Sequence, residues 1–266
     1  DQLKKENMQT VQLLSGYDMP IVGLGTWQCA KAEDIENVVT FALEIGYRHI
    51  DTAFNYNNEE AIGEVLRKWF EKGGKREDLF ITSKVIYVLP HYGNRPSDVE
   101  KFINLSLKKL GLDYLDMYLI HMPFAFKEME EQVKKGRTKS IGLSNFNEKQ
   151  VLDIWENAQI KPSNLQIELH AYLQQNSLRQ LCQMHNIIIT AYSPLASPGD
   201  LLGHPTVQKI SAEYKKSPAQ ILLRYLLQIG VVVIPKSSSL ERLKTNIDLF
   251  NFSLKEEETK LLSTLD

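Results

Sequence analysis

The chain alternates eight times between a short apolar run rich in β-branched residues and a longer segment with helical spacing. This alternation is typical of βαβ units, which assemble into parallel sheets. Several of the runs are continuously apolar, as expected for strands buried on both faces. The predicted strands are residues 21–24, 47–51, 79–84, 115–121, 140–144, 164–168, 187–192 and 231–235.

The segments between these runs predict helices that bury one face. Gly111 follows the last apolar residue of one such segment and is typical of a helix end. Asn147 and Gln150 predict a cap ahead of a helix around residues 151–155. The helical spacing is clearest at Val38, Phe41, Ala42 and Ile45, and at Val99, Phe102, Ile103, Leu107 and Leu110.

Periodicity by itself leaves two parallel architectures open, an eight-stranded barrel and a doubly wound open sheet. The count of eight strands and the positions of the polar residues favour the barrel. Ahead of the first strand, residues 11–21 suggest a β-hairpin that turns at Ser15 and Gly16. The length of 266 residues would allow two small domains, but no linker or change of composition divides the chain. We therefore predict one α/β domain over residues 1–266, a (β/α)8 TIM barrel whose floor is closed by the hairpin.

The composition limits the classes of molecule that the protein is expected to bind. A formal net charge of −2 gives no field that would gather nucleic acid or an anionic membrane, so we expect a small-molecule partner. Cys29 and Cys182 are too few for a disulfide scaffold or a zinc cluster, which suits a reducing compartment. No apolar stretch is long enough to span a bilayer, and the first residues do not resemble a signal peptide. We expect a cytoplasmic protein that binds no metal.

Polar side chains follow three successive predicted strands at their carboxyl ends. Asp51 and Tyr56 follow the second, Lys84 ends the third and His121 ends the fourth. Each of these residues alone has a structural explanation, such as a helix cap, rim packing or a solvated charge. Together they lie on one rim, where parallel α/β folds collect their reactive groups.

These four residues make chemical sense as a device for proton transfer to a carbonyl oxygen. A free tyrosine has a pKa of about 10, and a nearby ammonium group lowers it by stabilising the phenolate. Lys84 would act on Tyr56 in this way, and a pairing with Asp51 would fix the position of its charge. His121 would donate a hydrogen bond that orients the carbonyl oxygen.

From end to end, the chain resembles the animal aldo-keto reductases, because several of their motifs occur in it in the same order. The matching stretches are residues 19–27, 46–53, 56–60, 119–121, 139–146 and 234–237. The resemblance implies NADPH-dependent reduction of an aldehyde or ketone. It also implies a catalytic tetrad of Asp51, Tyr56, Lys84 and His121, with Tyr56 as the proton donor. We expect the protein to come from an insect.

The same resemblance implies a binding site for NADPH or NADP⁺. Ser144, Asn145 and Gln166 would hold the nicotinamide carboxamide and Tyr192 would stack on the ring. The remaining cofactor residues would be Thr26 on the rim, Ser193 and Leu195 along the pyrophosphate, Lys236, Ser237 and Arg242 at the adenosine 2′-phosphate, and Asn246 at the adenine. A group of Lys, Ser and Arg near a helix start is also what a phosphate dianion requires, which favours NADPH over NADH.

Gly23 and Gly25 supply only two glycines of the dinucleotide fingerprint, so a Rossmann dehydrogenase is disfavoured. We expect this segment to form a rim turn instead.

The substrate pocket departs from the family pattern. Met122 stands where many relatives have Trp and offers a more adaptable side chain. The family's long loop after the catalytic histidine, its loop before Leu201 and its carboxyl-terminal tail are short or absent here, and we expect the natural protein to contain them. The residues expected to shape the pocket are Trp27, Phe54, Asn55, Tyr87, Met122 and Phe124.

Two functions of different class fit the resemblance. One is a reductase acting on a sugar, a lipid aldehyde or a steroid or ecdysteroid ketone. The other is a non-catalytic NADP(H)-binding protein with a regulatory or crystallin-like structural role. The presence of all four tetrad residues favours the enzyme, and the resemblance suggests a monomer.

Overall fold

The computed structural model describes residues 9–29, 31–85, 96–120, 126–196 and 199–266. Across these ranges an antiparallel hairpin precedes eight parallel strands. The strands are β1 (Thr10–Gln12), β2 (Asp18–Pro20), β3 (Leu24–Gly25), β4 (His49–Asp51), β5 (Phe80–Lys84), β6 (Leu115–Ile120), β7 (Thr138–Ser144), β8 (Asn164–Glu168), β9 (Ile188–Tyr192) and β10 (Val232–Val233). The helices are α1 (Ala32–Ile45), α2 (Glu59–Glu71), α3 (Pro96–Leu110), α4 (Phe126–Lys134), α5 (Glu148–Asn157), α6 (Asn176–Met184), α7 (Pro205–Tyr214), α8 (Pro218–Gln228), α9 (Leu240–Ile247) and α10 (Glu256–Leu262).

The eight parallel strands close into a ring. Neighbouring strands pair in chain order from β3 to β10. At the seam between the first and the last strand, Gly23 N–H donates to Val233 O at 2.8 Å and Val233 N–H donates to Ile21 O at 3.0 Å. A third bond runs from Gly25 N–H to Pro235 O at 3.2 Å. These bonds confirm the (β/α)8 barrel and exclude the open doubly wound sheet.

The seam glycines do not form the rim turn that their sequence suggested. Gly25 lies in β3, and the turn begins only after it, around Trp27. A Cβ atom at Gly25 would lie 2.6 Å from Ile234 O, and one at Gly23 would lie 2.7 Å from His49 Nδ1. Glycine is therefore needed at both positions, because a Cβ atom would clash with the Ile234 backbone at Gly25 and with the His49 and Ile234 side chains at Gly23.

The hairpin closes the barrel floor, as predicted. β1 and β2 pair with Gln12 opposite Asp18, and the turn between them places Gly16 at φ +84°. Leu13 and Met19 are buried and form a small apolar cluster with Phe80, Met117, Leu119 and Val232 of the barrel strands. Burial of this cluster fixes the hairpin beneath the ring.

The helices begin and end largely where the sequence indicates. Asn147 Oδ1 accepts a hydrogen bond from Gln150 N–H, and Gln150 Oε1 accepts one from Asn147 N–H, which completes the predicted capping box of α5. Gly111 follows α3 with φ +66°. Of the helices in the described ranges, none has the length and apolar character needed to cross a membrane.

Candidate active site

Three of the four predicted catalytic residues meet at the carboxyl end of the barrel. Asp51 ends β4 and Lys84 ends the neighbouring strand β5. Tyr56 ends a short 3₁₀ helix, Phe54–Tyr56, that begins three residues after β4. His121 lies outside the described residues, directly after β6 ends at Ile120.

Lys84 is the centre of this group. Its Nζ donates to Asp51 Oδ1 at 2.6 Å, to the backbone oxygen of Thr52 at 2.8 Å and to Tyr56 Oη at 3.3 Å. Three donors of one ammonium group thus meet three oxygen acceptors, so its hydrogen-bonding capacity is satisfied. The ammonium also lies 4.9 Å from the centre of the Tyr56 ring.

The charge on Lys84 is stabilised despite its burial. The side chain is only 1 % exposed, and Asp51 is 2 % exposed as a residue. Burial alone would lower the pKa of Lys84, but the Asp51 carboxylate and the Tyr56 oxygen outweigh it, so the pKa lies above its usual value. The group therefore holds a fixed positive charge beside the phenol at neutral pH.

A chain of hydrogen bonds extends from Asp51 to the residues expected at the nicotinamide. Gln166 Nε2 donates to the second carboxylate oxygen of Asp51 at 2.7 Å. At the end of the neighbouring strand β7, Asn145 Nδ2 donates to Ser144 Oγ at 3.3 Å, and Tyr192 Oη, at the end of β9, donates to Asn145 Oδ1 at 2.8 Å. Asn145 has φ +61°, a conformation that asparagine tolerates better than most residues. These four expected cofactor residues therefore lie close together, at the ends of β7 and β9 and within β8.

Thr26, Ser193 and Leu195 surround this group differently. Thr26 is buried, and both its hydroxyl and its N–H donate to Asp51 O, at 2.9 and 3.1 Å. Its side chain thus stabilises the backbone of Asp51 by hydrogen bonding and does not face an open rim. Ser193 and Leu195 are half-buried in the turn after β9, and Ser193 adopts φ +46°.

The expected phosphate residues gather where β10 leads into α9. Lys236 and Arg242 are exposed, and neither forms an ion pair with a carboxylate among the described residues. Ser239 caps α9 by accepting from Arg242 N–H, while Ser237 is buried and accepts from Ser239 N–H. Asn246 is buried near the end of the same helix.

The expected pocket residues fall into three groups. Trp27 is 56 % exposed on the rim, and Asn55 is half-buried beside Tyr56. Phe54 differs from its expected role, because it packs edge-on against Phe102 of α3 at 4.9 Å between ring centres. Residues two apart in a 3₁₀ helix point in different directions, so Phe54 packs against α3 while Tyr56 contacts Lys84. The remaining pocket residues, Tyr87, Met122 and Phe124, lie outside the described residues.

Sequence reasoning missed a second set of buried polar residues beneath the site. These residues bond to one another and to the strands that carry Asp51 and Lys84: they are Thr52, Asn58, Glu59 and Ser83. Asn58 and Glu59 stand in the stretch 56–60 that carried the resemblance, directly after Tyr56. Their place in that matching stretch was the sequence signal that could have identified them as part of the site.

Comparison with known proteins extends over nearly the whole chain. The model of the aldo/keto reductase family matches residues 21–266. The chicken protein "Aldo-keto reductase family 1 member A1" is 41 % identical over 293 aligned positions, covering 96 % of this chain and 88 % of that protein. Because this alignment is longer than the 266 residues here, the relative contains additional residues within the matched region.

Two solved structures share the architecture. An aldo-keto reductase (AKR2E5) complexed with NADPH superposes with a TM-score of 0.89 at 34 % identity, over 97 % of this chain and 88 % of that one. The aldose reductase from Schistosoma japonicum has a TM-score of 0.89 at 41 % identity, over 97 % of this chain and 92 % of the other.

Proposed function

The chain belongs to the aldo/keto reductase family, and on that premise we propose that it reduces an aldehyde or ketone to the alcohol with Tyr56 as the proton donor. It is an NADP-dependent oxidoreductase, and its cofactor is NADP(H). The observation that carries the proposed role of Tyr56 is the buried ammonium of Lys84, held between Asp51 and the Tyr56 hydroxyl.

The proposed proton transfer follows from this geometry. As the carbonyl π bond breaks, its electron pair moves to oxygen, and the Tyr56 hydroxyl gives its proton to that oxygen. The phenolate left behind lies 3.3 Å from a positive charge that Asp51 keeps in place. An ammonium at that distance stabilises the developing phenolate and so lowers the barrier. Solvent then returns a proton to Tyr56.

The residues present fit a nicotinamide dinucleotide phosphate. NADPH, when bound, supplies the hydride that adds to the carbonyl carbon. Gln166, Ser144 and Asn145 would hold its carboxamide with amide and hydroxyl groups, which can both donate and accept hydrogen bonds. Tyr192 would offer its ring face to the nicotinamide.

The far end of the proposed site suits the 2′-phosphate. Lys236 and Arg242 are two exposed cations without carboxylate partners in the described chain; Lys236 lies four residues before α9 and Arg242 lies in its first turn. A phosphate dianion there would gain charge-assisted hydrogen bonds and a favourable helix dipole. This supports a preference for NADPH over NADH.

The alternative of a purely structural protein gains no support from these features. Burying a lysine–aspartate pair against a phenol requires the desolvation of both charges, and an apolar core of similar volume is often as stable or more stable. A structural role leaves that arrangement without a purpose.

The first test is the substitution Tyr56→Phe. We expect the variant to bind NADPH with unchanged affinity, measured by quenching of protein fluorescence, and to lose turnover by at least about 100-fold. Tyr17→Phe, on the hairpin at the opposite end of the barrel, is the matched control and should keep full activity. Substantial reduction of a carbonyl panel by Tyr56→Phe would refute the proposed proton donor.

The second test concerns cofactor choice. Arg242→Ala should weaken NADPH binding by about 10-fold or more while leaving NADH binding nearly unchanged, because only NADPH carries the phosphate. Arg224→Ala serves as the control: it removes an arginine on α8 that bonds to Gln228 of the same helix and to Ser253, between α9 and α10. Equal weakening of both cofactors by Arg242→Ala would contradict the phosphate assignment.

A further inference from the structure

The loop that carries Tyr56 is fixed just beyond that residue by one buried asparagine. Asn58 is 2 % exposed, and its Nδ2 donates to Thr26 O at 2.9 Å and to Cys29 O at 3.4 Å. Its Oδ1 accepts from the Thr52 hydroxyl at 2.7 Å. One side chain therefore joins the segment after β3, the residue after Asp51 and the loop itself.

The next residue fixes the loop to the strand that carries the catalytic lysine. Glu59 is 1 % exposed and starts α2. Its Oε1 accepts from the Ser83 hydroxyl at 2.7 Å, and Ser83 immediately precedes Lys84 on β5. A shift of this carboxylate relative to Ser83 would therefore shift the start of α2 relative to Lys84.

Only Asn57 separates Tyr56 from these two residues. It adopts φ +54° and directly follows the 3₁₀ helix that ends at Tyr56. Because consecutive Cα atoms are about 3.8 Å apart and their peptide links are planar, the positions of Asn58 and Glu59 restrict where the phenol can lie. The gap between Tyr56 Oη and Lys84 Nζ, at 3.3 Å, is at the upper end of hydrogen-bond range and is sensitive to small displacements.

We propose that Asn58 and Glu59 are positioning residues that set the spacing between Tyr56 and Lys84 by joining the Tyr56 loop to β4 and β5. The inference rests on the proposed function, in which Tyr56 gives the proton. Neither residue touches the reacting atoms in this account. Their hydrogen bonds keep the phenol within reach of the ammonium, and a looser loop weakens the stabilisation of the phenolate.

The critical comparison is between two substitutions of one residue. Glu59→Ala removes the acceptor for Ser83, whereas Glu59→Gln keeps a carbonyl oxygen that can accept the same hydrogen bond but removes any negative charge. We expect Glu59→Ala to lower kcat about 10- to 100-fold, as a displacement on the order of 1 Å can do, with little change in KM. Glu59→Gln should restore most of kcat.

The pH profile gives a readout that mere destabilisation would not change. In Glu59→Ala the alkaline limb of kcat should move to higher pH, because a phenol farther from the ammonium is a weaker acid. Ser83→Ala removes the same hydrogen bond from the other side and should shift the limb in the same direction, which covers the case where Glu59→Ala does not fold. Asn58→Ala should also lower kcat and shift the limb upward.

Glu130→Ala is the matched control for loss of a buried glutamate. Glu130 is 4 % exposed on α4 and accepts from Gln159 N–H and Ile160 N–H, remote from the Tyr56 loop. The Glu130→Ala variant should have a lower free energy of unfolding, but the alkaline limb of its kcat profile should stay at the wild-type pH. NADPH binding should be unchanged in every variant, measured by fluorescence.

Two results would overturn the proposal. If Ser83→Ala and Asn58→Ala both keep the wild-type pH limb and kcat, the contacts do not set the spacing. If Glu59→Gln shifts the limb as far as Glu59→Ala does, the charge of Glu59 acts directly and its hydrogen bond does not matter. Failure of the proposed function is a separate result, since only then would Tyr56→Phe itself retain turnover.

Discussion

Acid should destabilise this barrel through a histidine in its interior. His49 is fully buried on β4, with Nδ1 3.2 Å from Pro20 O of the hairpin and Nε2 3.2 Å from Thr82 Oγ1. The simplest pairing has Nδ1–H donating to the carbonyl and Nε2 accepting from the hydroxyl, so the ring is neutral. Burial lowers the pKa of His49 from 6.5 to about 4.

The size and sign of the effect follow from linkage. Because the pKa is lower in the folded state, the unfolded chain binds a proton first as the pH falls below 6.5, and the stabilisation from the neutral ring is lost between pH 6.5 and about 4. Each pH unit in that window lowers the free energy of unfolding by up to about 1.4 kcal/mol. Between pH 7 and pH 5 the loss is about 2 kcal/mol.

Urea unfolding at pH 7 and pH 5 measures this loss, with His49→Asn as the reference that removes the titrating ring. We expect the variant to be less stable at pH 7, and the difference from wild type to shrink by about 2 kcal/mol at pH 5. His185→Asn, at the outer end of α6, controls for the removal of any histidine. A difference that stays the same at both pH values would refute the reasoning.

Two further predictions test the packing. Gly63→Ala should lower the free energy of unfolding by about 1–3 kcal/mol, because its Cβ would lie 2.3 Å from Lys109 O and would push α2 away from α3; Gly203→Ala, where a Cβ meets nothing within 4 Å, is the control in the same urea assay. Cys29 and Cys182 are buried, and burial raises the pKa of both thiols, to about 12 for Cys182. We expect no reaction with Ellman's reagent at pH 7 in the folded protein and two reacting thiols in guanidinium chloride; a fast-reacting thiol in the folded state would contradict this burial.

The architecture could be predicted because a barrel strand is buried on both sides, and a strand buried on both sides appears in the sequence as a continuous apolar run. The ends of the strands were less accurate at the seam. There the sequence predicted strands over 21–24 and 231–235, whereas β3 is Leu24–Gly25 and β10 is Val232–Val233. An apolar residue can be buried without joining a regular ladder, so hydrophobicity alone does not give the bounds of a short strand.

The site could be predicted best where a residue lies at or directly after the end of a strand. Asp51 and Lys84 end neighbouring strands, so their meeting follows from the topology. The direction of Phe54 and the inward turn of Thr26 depend on loop conformation, which periodicity does not encode. The bond between Glu59 and Ser83 joins a helix start to a strand 24 positions away and required coordinates to be seen.

The seam of the barrel has a consequence for synthesis of the protein. Its hydrogen bonds join Gly23 to Val233 and Gly25 to Pro235, so the chain must leave the ribosome as far as residue 235 before the ring can form. Contacts so distant along the chain are slow to form. Until they do, β3 and the growing end of the sheet present unpaired edges that can pair with other chains. The nascent protein therefore stays open to edge pairing with other chains until residue 235 has emerged.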